Sequence, residues 1–479
     1  MSSSKKYKNI LIWLVLIVCS FNIKTLEKIY LINEFSGIYI STRNKNDNAN
    51  KIFDLSSLNI DNSDFNLYIN ETIQKNNSNN YPFKKDIIYN VRVKFNKILE
   101  KTNNMFMNCI SLKYLNLSLF DTSRVTNMNN MFYGCSSLIS INLINFSTEN
   151  VILMDNMFYY CESLTHLNLS SFNTINVISM ENMFGGCTSL KYLDLSNFNT
   201  KNVKKMAWLF SSCESLTSLN LLYFNTQKVR TMQSMFSNCQ SLIKIDLSSF
   251  YTENVENMES MFNECFSLIY LNLRNFNTRN VITMNSMFSN CISLTSIDLT
   301  KFNTEKVKTM ANMFSNCQSL KNIDLSSFKT KEVNYFSNMF YNCISLTSIN
   351  LNSFNTEKLV NTGNMFNNCV SLHNIYLLSF NSSTIEYSYN MFYNCSSLTS
   401  IDLRFFKFNN IINMESMFYQ CNKLNYLIMN NCELKDDTNL NSAFLGLSKN
   451  GIIKTPKNKC NKMINELLSS NVNWKSENF

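Results

Sequence analysis

Apolar residues between 103 and 430 follow two periods that alternate and then restart every twenty-six residues. In the first, apolar and polar residues alternate, as in Leu115, Asn116, Leu117 and Ser118. That period of two predicts a short strand with one buried face. In the second, Val125, Met128, Met131, Phe132 and Cys135 recur at three- and four-residue spacing. That spacing predicts one apolar stripe on a short helix, with Thr122 placed to cap its N-terminus. One unit reads L-x-x-L-x-L-x-x-F-N-T-x-x-V-x-x-M-x-x-M-F-x-x-C-x-S. Such units bury their apolar face only against their neighbours, so the chain is predicted to be an α/β solenoid. Each 26-residue unit would contribute one short parallel strand and one short helix. Thirteen units stacked about 4.8 Å apart would make a rod roughly 60 Å long.

The register is strict. Thirteen cysteines, Cys109 to Cys421, stand twenty-six residues apart without insertion or deletion. A Phe lies three residues before each, and a Met before that Phe except at Leu209. Three residues after each Cys stands a Leu, from Leu112 to Leu424. The L-x-x-L-x-L core joined to Met-Phe-x-x-Cys-x-Ser-Leu at this period resembles the BspA-like leucine-rich repeat surface proteins, over residues 103–430. The resemblance implies a leucine-rich-repeat-like solenoid, surface exposure and adhesion. The sequence departs from ordinary leucine-rich repeats in one column. The Asn or Cys usual after the strand is Phe here, from Phe120 to Phe406, which replaces a backbone-bonding ladder by an aromatic stack.

Outside the repeat the pattern changes. Lys5, Lys6 and Lys8 precede an apolar run, Ile10 to Val18. That run is shorter than the ~20 residues of a spanning helix, so residues 1–23 read as a signal peptide or N-terminal anchor. Residues 24–85 form an Asn-rich polar segment, with 41–82 expected as a linker. Residues 86–102, with Val91, Val93 and Phe95 alternating, read as an edge strand capping the first unit. Residues 431–479 read as a degenerate repeat and C-terminal cap: Cys432 takes the Phe position, Ile452–Ile453 suggest a last strand, and 458–469 a closing helix. The expected location is secreted or cell surface. Contact with a membrane is expected only through the N-terminal segment, if it is not cleaved.

Composition narrows the chemistry. The formal charge is +9, but the cations are scattered. Their densest group is Lys201, Lys204, Lys205, Lys228 and Arg230, on the side of the second period. No stripe of cations with aromatic platforms appears, so no nucleic-acid partner is expected. The two histidines, His166 and His373, occupy different repeat positions beside no nucleophile motif. No C-x-x-C pair or Cys/His cluster suggests a metal. No catalytic residue, metal or other cofactor is therefore assigned.

The cysteine column would stack about 5 Å apart, inside the Cα range of a disulfide. Thirteen is odd, however, and parallel stacking points the Cβ vectors the same way. The column is expected to be buried and reduced. Cys432 and Cys460 lie in the C-terminal cap and are a candidate disulfide in an oxidising exterior.

The outward face of the strands carries two columns. One is nearly always Asn or Asp: Asn116, Asn168, Asp194, Asp246, Asn272, Asp298 and Asp324 belong to it. The other includes Tyr114, His166, Tyr192 and Tyr270. Aromatic rings among amides and hydroxyls suit protein or glycan recognition. These eleven residues are the candidate ligand-binding set, and the partner expected is an extracellular or host protein or a glycan. Asp298 and Asp324 fall on adjacent coils, near the separation of a retaining glycosidase pair. A flat sheet excludes no water, though, and acids recur along the whole column. A carbohydrate-active enzyme and a coat protein without a specific ligand are the alternatives to a non-enzymatic adhesion surface.

Overall fold

The computed structural model describes residues 33–41, 51–75, 78–380, 383–457, 459–470 and 473–478. The expected signal or anchor segment, residues 1–23, lies outside them. The chain enters through four strands: β1 (Asn33–Ile40), β2 (Phe65–Ile69), β3 (Thr72–Ile73) and β4 (Ile88–Phe95). It then winds in coils whose strand runs are β5 (Leu112–Asn116), β6 (Ser140–Asn142), β7 (Lys244–Asp246), β8 (Tyr270–Asn272), β9 (Ser348–Asn350), β10 (Asn374–Tyr376), β11 (Ser400–Lys407) and β12 (Tyr426–Asn431). Paired strands are parallel and offset by one repeat, as Tyr114 with Ser140 and Lys244 with Tyr270. The period in the sequence is therefore the period of the solenoid.

The second half of each unit is not a helix. The residues of the three- and four-spaced stripe are all buried, but they turn inward by successive tight turns. Met131 N–H donates to Met128 O (3.2 Å) and Cys135 N–H to Phe132 O (3.1 Å). Alternate amides leave the coil altogether. Met128, Asn130, Phe132 and Gly134 donate to Leu153, Asp155, Met157 and Tyr159 of the next coil, at 3.0, 2.8, 2.8 and 2.7 Å. A helix would spend those amides on its own carbonyls four residues back. Two residues per coil also sit in left-handed backbone, such as Asn130 (φ 56°) with Gly134 (φ 68°), and Asn312 with Asn316 (both φ 60°). Left-handed residues every four positions are incompatible with an α-helix. They explain why Asn, Ser and Gly fill these positions, since Asn tolerates this region and Gly enters it freely. The only α-helix among the described residues is α1, Asn461–Ser469. Thr122 likewise caps no helix: its hydroxyl donates to Ser147 O of the next coil (2.7 Å). Thr148 both donates to Asn173 O (2.9 Å) and accepts from Asn173 N–H (2.8 Å).

Identical side chains then stack from coil to coil. Phe rings run in nearly parallel pairs from Phe106 through Phe418 to Phe444, with Phe236–Phe262 and Phe262–Phe288 centroids 5.5 and 5.7 Å apart. The corner column stacks too, as in Phe146–Phe172 (5.8 Å) and Phe302–Phe328 (6.5 Å). All thirteen repeat cysteines are buried and unbridged. Each is more than a small apolar filler. Its S–H donates to a carbonyl of the preceding coil, as Cys135 to Phe106 O (3.0 Å) and Cys291 to Phe262 O (3.2 Å). The first, Cys109, reaches Ile52 O in the N-terminal cap (3.2 Å), so the cap presents the same acceptor that a coil would.

That cap departs from the expected organisation. Residues 51–75, expected as linker, hold β2 and β3 and bury Ile52, Phe53, Phe65 and Leu67. The strand expected at 86–102 is present as β4, but it does not cover the first coil. β1 does, antiparallel to β5 with Ser36 opposite Asn116 and Ile38 opposite Tyr114. β4 lies one strand further out, between β1 and β2. At the other end β13 (Asn450–Thr455) continues the parallel sheet after β12, and β14 (Asn473–Asn478) follows β13. Cys432 and Cys460 stand in bonding contact there, with Cα atoms 4.9 Å apart.

Candidate binding face

The strand runs point alternate residues outward, and the cross-coil register lines these into columns. In the Asn/Asp column the side-chain oxygen is already used. Asn168 Oδ1 accepts from Ser170 N–H (3.0 Å), Asp194 from Ser196 (2.9 Å), Asp246 from Ser248 (2.9 Å) and Asn272 from Arg274 (3.2 Å). Asp298 and Asp324 accept from the amides of Thr300 (3.0 Å) and Ser326 (2.9 Å), and Asn116 from Ser118 (3.1 Å). The column closes the turn that follows each strand, an Asx turn repeated along the sheet. Where Tyr376 interrupts it, Asn352 of the preceding coil supplies the missing acceptor to Leu378 N–H (2.9 Å). The column is thus primarily a structural device, which its composition alone did not reveal. The signal was present as the Ser or Thr that often follows two residues later.

These bonds also set the electrostatics. The Ser196 amide holds the Asp194 carboxyl below its ordinary pKa, and the Ser248 amide does the same for Asp246. The Thr300 hydroxyl and amide lower Asp298, and the Ser326 amide lowers Asp324. The Asp298 charge pushes Asp324 upward, but as the smallest of its influences. Both carboxyls therefore stay ionised, whereas a retaining glycosidase needs one of its pair raised to act as an acid.

In the second column, Tyr192 and Tyr270 close no such turn. Tyr192 and Tyr270 project from the sheet at 61% and 55% exposure. They lie three coils apart, about 14 Å at the ordinary strand spacing. His166 is exposed, its Nδ1 3.0 Å from the Thr165 hydroxyl. Exposed Ile243 and Ile269 border Tyr270, with Ile269 N–H bonded to Ile243 O (2.9 Å). Tyr114 and Asn116 are only partly exposed, because β1 lies beside them. The eleven candidates thus share one sheet, but Tyr114 and Asn116 sit under its capped end. Among the described residues no cluster of three His, Cys, Asp or Glu could hold a metal ion, and no helix is long and apolar enough to cross a membrane.

Comparison with known proteins agrees with the repeat. No curated protein matches the chain. A leucine-rich cell surface protein from Faecalibacterium prausnitzii A2-165 is similar at 17% identity, covering 89% of this chain and 95% of its own, with a TM-score of 0.38. TLR13 in a complex with ssRNA13 is similar at 15% identity, covering 75% and 76%, with a TM-score of 0.19. At these TM-scores neither superposition bears on function. The family described as "Mycoplasma protein of unknown function, DUF285" matches residues 71–191, 100–218, 163–269, 268–374 and 344–453. These overlapping matches tile the coils from the N-terminal cap to β13, and the chain belongs to this DUF285 family of BspA-like repeats.

Proposed function

We propose that the protein is an exported, non-enzymatic recognition surface whose sheet face binds a protein or glycan ligand. One observation carries the reading. The Phe and Cys columns of the core keep their residue from Phe106 to Phe418 and from Cys109 to Cys421, while the outward column of Tyr192 and Tyr270 varies, and these two rings stand in solvent. Exposed Tyr supplies contact area at low entropic cost, which is why binding surfaces use it. The lowered carboxyl pKa values favour binding over hydrolysis. Export is supported by two separate features: the basic and apolar N-terminal segment, and the Cys432–Cys460 pair, whose bridge persists only in an oxidising compartment.

The test is a screen of the mature chain against extracellular matrix proteins and glycans, repeated with Tyr192→Ser/Tyr270→Ser. A ligand should bind the wild type and lose roughly tenfold or more in affinity with the variant, as for residues at the centre of an interface. Thermal stability should be unchanged, because both rings stand in solvent. Absence of any ligand, or a ligand indifferent to both tyrosines, would sink the proposal.

A further inference from the structure

The coils act as controls for one another, and one pair breaks the rule that the others keep. On the face formed by the turns after each corner Phe, charges meet across neighbouring coils with opposite sign. Lys329 pairs with Glu305 (2.5 Å), Lys358 with Glu332 (2.5 Å), Arg230 with Glu256 (3.2 Å), and Arg279 with Glu253. The column through residue 204 is locked by backbone bonds: Lys204 N–H to Ile178 O (2.9 Å), Arg230 N–H to Lys204 O (3.1 Å) and Glu256 N–H to Arg230 O (2.9 Å). That register sets Lys204 directly against Arg230. Like charges facing each other across strands are destabilising.

The crowding continues around them. Lys228 donates to Asn202 Oδ1 of the preceding coil (2.8 Å), beside Lys201, and Lys205 follows Lys204. All five cations are exposed. Glu181 compensates Lys205 (3.2 Å) and Glu256 compensates Arg230. Among the described residues no carboxylate pairs with Lys201, Lys204 or Lys228. Lys306, Lys308 and Lys331 also form no ion pair among the described residues, but Lys331 stands in its column between Glu305 and Glu357, whereas here three unpaired cations gather on two coils around a like-charged column pair.

We propose that this patch is a second binding site, separate from the sheet face, for a linear sulfated glycan. The repulsion between Lys204 and Arg230 is relieved when anionic groups lie between them. Sulfates along a chain suit cations spaced by the coil repeat of about 5 Å. Nucleic acid fits less well. A single strand wants a series of stacking rings, and two exposed rings stand near the patch, Tyr223 on the coil of Lys228 and Tyr251 on the next. A duplex site typically neutralises about six to ten phosphates, more than this patch offers.

The experiment measures binding of a fluorescent heparin-type oligosaccharide to the full chain at low and physiological salt. A desulfated oligosaccharide and a single-stranded oligonucleotide of matched charge are the comparison probes. The sulfated probe should bind, weaken steeply with salt, and lose at least tenfold in affinity with Lys204→Ser/Lys228→Ser/Arg230→Ser. The paired cations further along serve as control: Lys329→Ser/Lys358→Ser should change affinity less than twofold. Lys204→Glu should abolish binding while leaving the melting temperature equal or higher, since it places a carboxylate against Arg230. No binding at low salt, equal losses in the control variant, or an oligonucleotide bound as tightly as the sulfated probe would overturn the assignment.

Discussion

Raising the pH through the ordinary thiol range should unfold the coils steeply. The thirteen repeat cysteines are fully buried, and that burial is the leading cause pushing their thiols upward. Cys187, Cys239 and Cys343 are pushed up to about 12. In an unfolded chain the same thiols ionise near the usual value of about 8.5. Above that pH the unfolded state holds fewer protons than the folded one, so stability falls as pH rises. The contribution is intact below about pH 8.5 and is lost progressively towards the folded value, at about 1.4 kcal/mol per thiol for each pH unit. If all thirteen opened together the slope would reach about 18 kcal/mol per pH unit. Even a few coils opening together would unfold within a narrow interval. The check is an alkaline titration under reducing conditions that follows thiolate absorbance and backbone ellipticity together. Thiolate should appear only as structure is lost. Thiolate forming near its solution pKa in an intact fold would show that the column is accessible.

Truncating a ring in the middle of the aromatic stack should be the most damaging single substitution. Phe262 is buried between Phe236 and Phe288, and its carbonyl accepts both Cys265 N–H (3.3 Å) and Cys291 S–H (3.2 Å). Phe262→Ala removes a core ring and leaves a cavity that the rigid coil-to-coil bonding cannot close. The expected loss is about 3–5 kcal/mol. Because coils are stabilised only by their neighbours, the defect also uncouples the two halves of the rod. Urea unfolding should change from one transition towards two. Phe444→Ala, at the end of the stack with Phe418 as its ring partner (5.7 Å), should cost less and leave a single transition. Equal effects at both positions would mean that the stack does not transmit cooperativity.

The sequence disclosed the period, the coil direction and the buried stripe because each depends only on which residues avoid water. It misled on the conformation of that stripe. Val125, Met128, Met131, Phe132 and Cys135 would share a helix face, yet consecutive tight turns bury the same positions. The distinguishing mark was the Asn or Gly at positions such as Asn130, Gly134 and Asn316, residues that weaken a helix interior but suit left-handed turns. The N-terminal cap was hidden for a different reason. Phe65, Leu67 and Ile69 alternate as a strand should, but a polar composition outweighed so short a signal. On the candidate face, residue types were legible and duties were not. Asp298 and Asp324 looked like paired acids and are turn-closing acceptors. Tyr192 and Tyr270 remain as the residues that the fold leaves free.

Whether cross-coil turns replace a helix decides the stability order of three residues at one position. Asn316 holds φ at 60°, donates its side-chain amide to Asn290 Oδ1 (2.9 Å) and accepts from Asn342 Nδ2 (2.8 Å). Denaturant unfolding of the wild type, Asn316→Gly and Asn316→Ala measures that order. Cross-coil turns require Asn to be most stable. Gly should come next, having lost two side-chain bonds but not the backbone region, and Ala last, about 1 kcal/mol or more below Gly from left-handed strain. A helical stripe would rank Ala first, Asn next and Gly last. Observation of that reversed order would contradict the turn ladder.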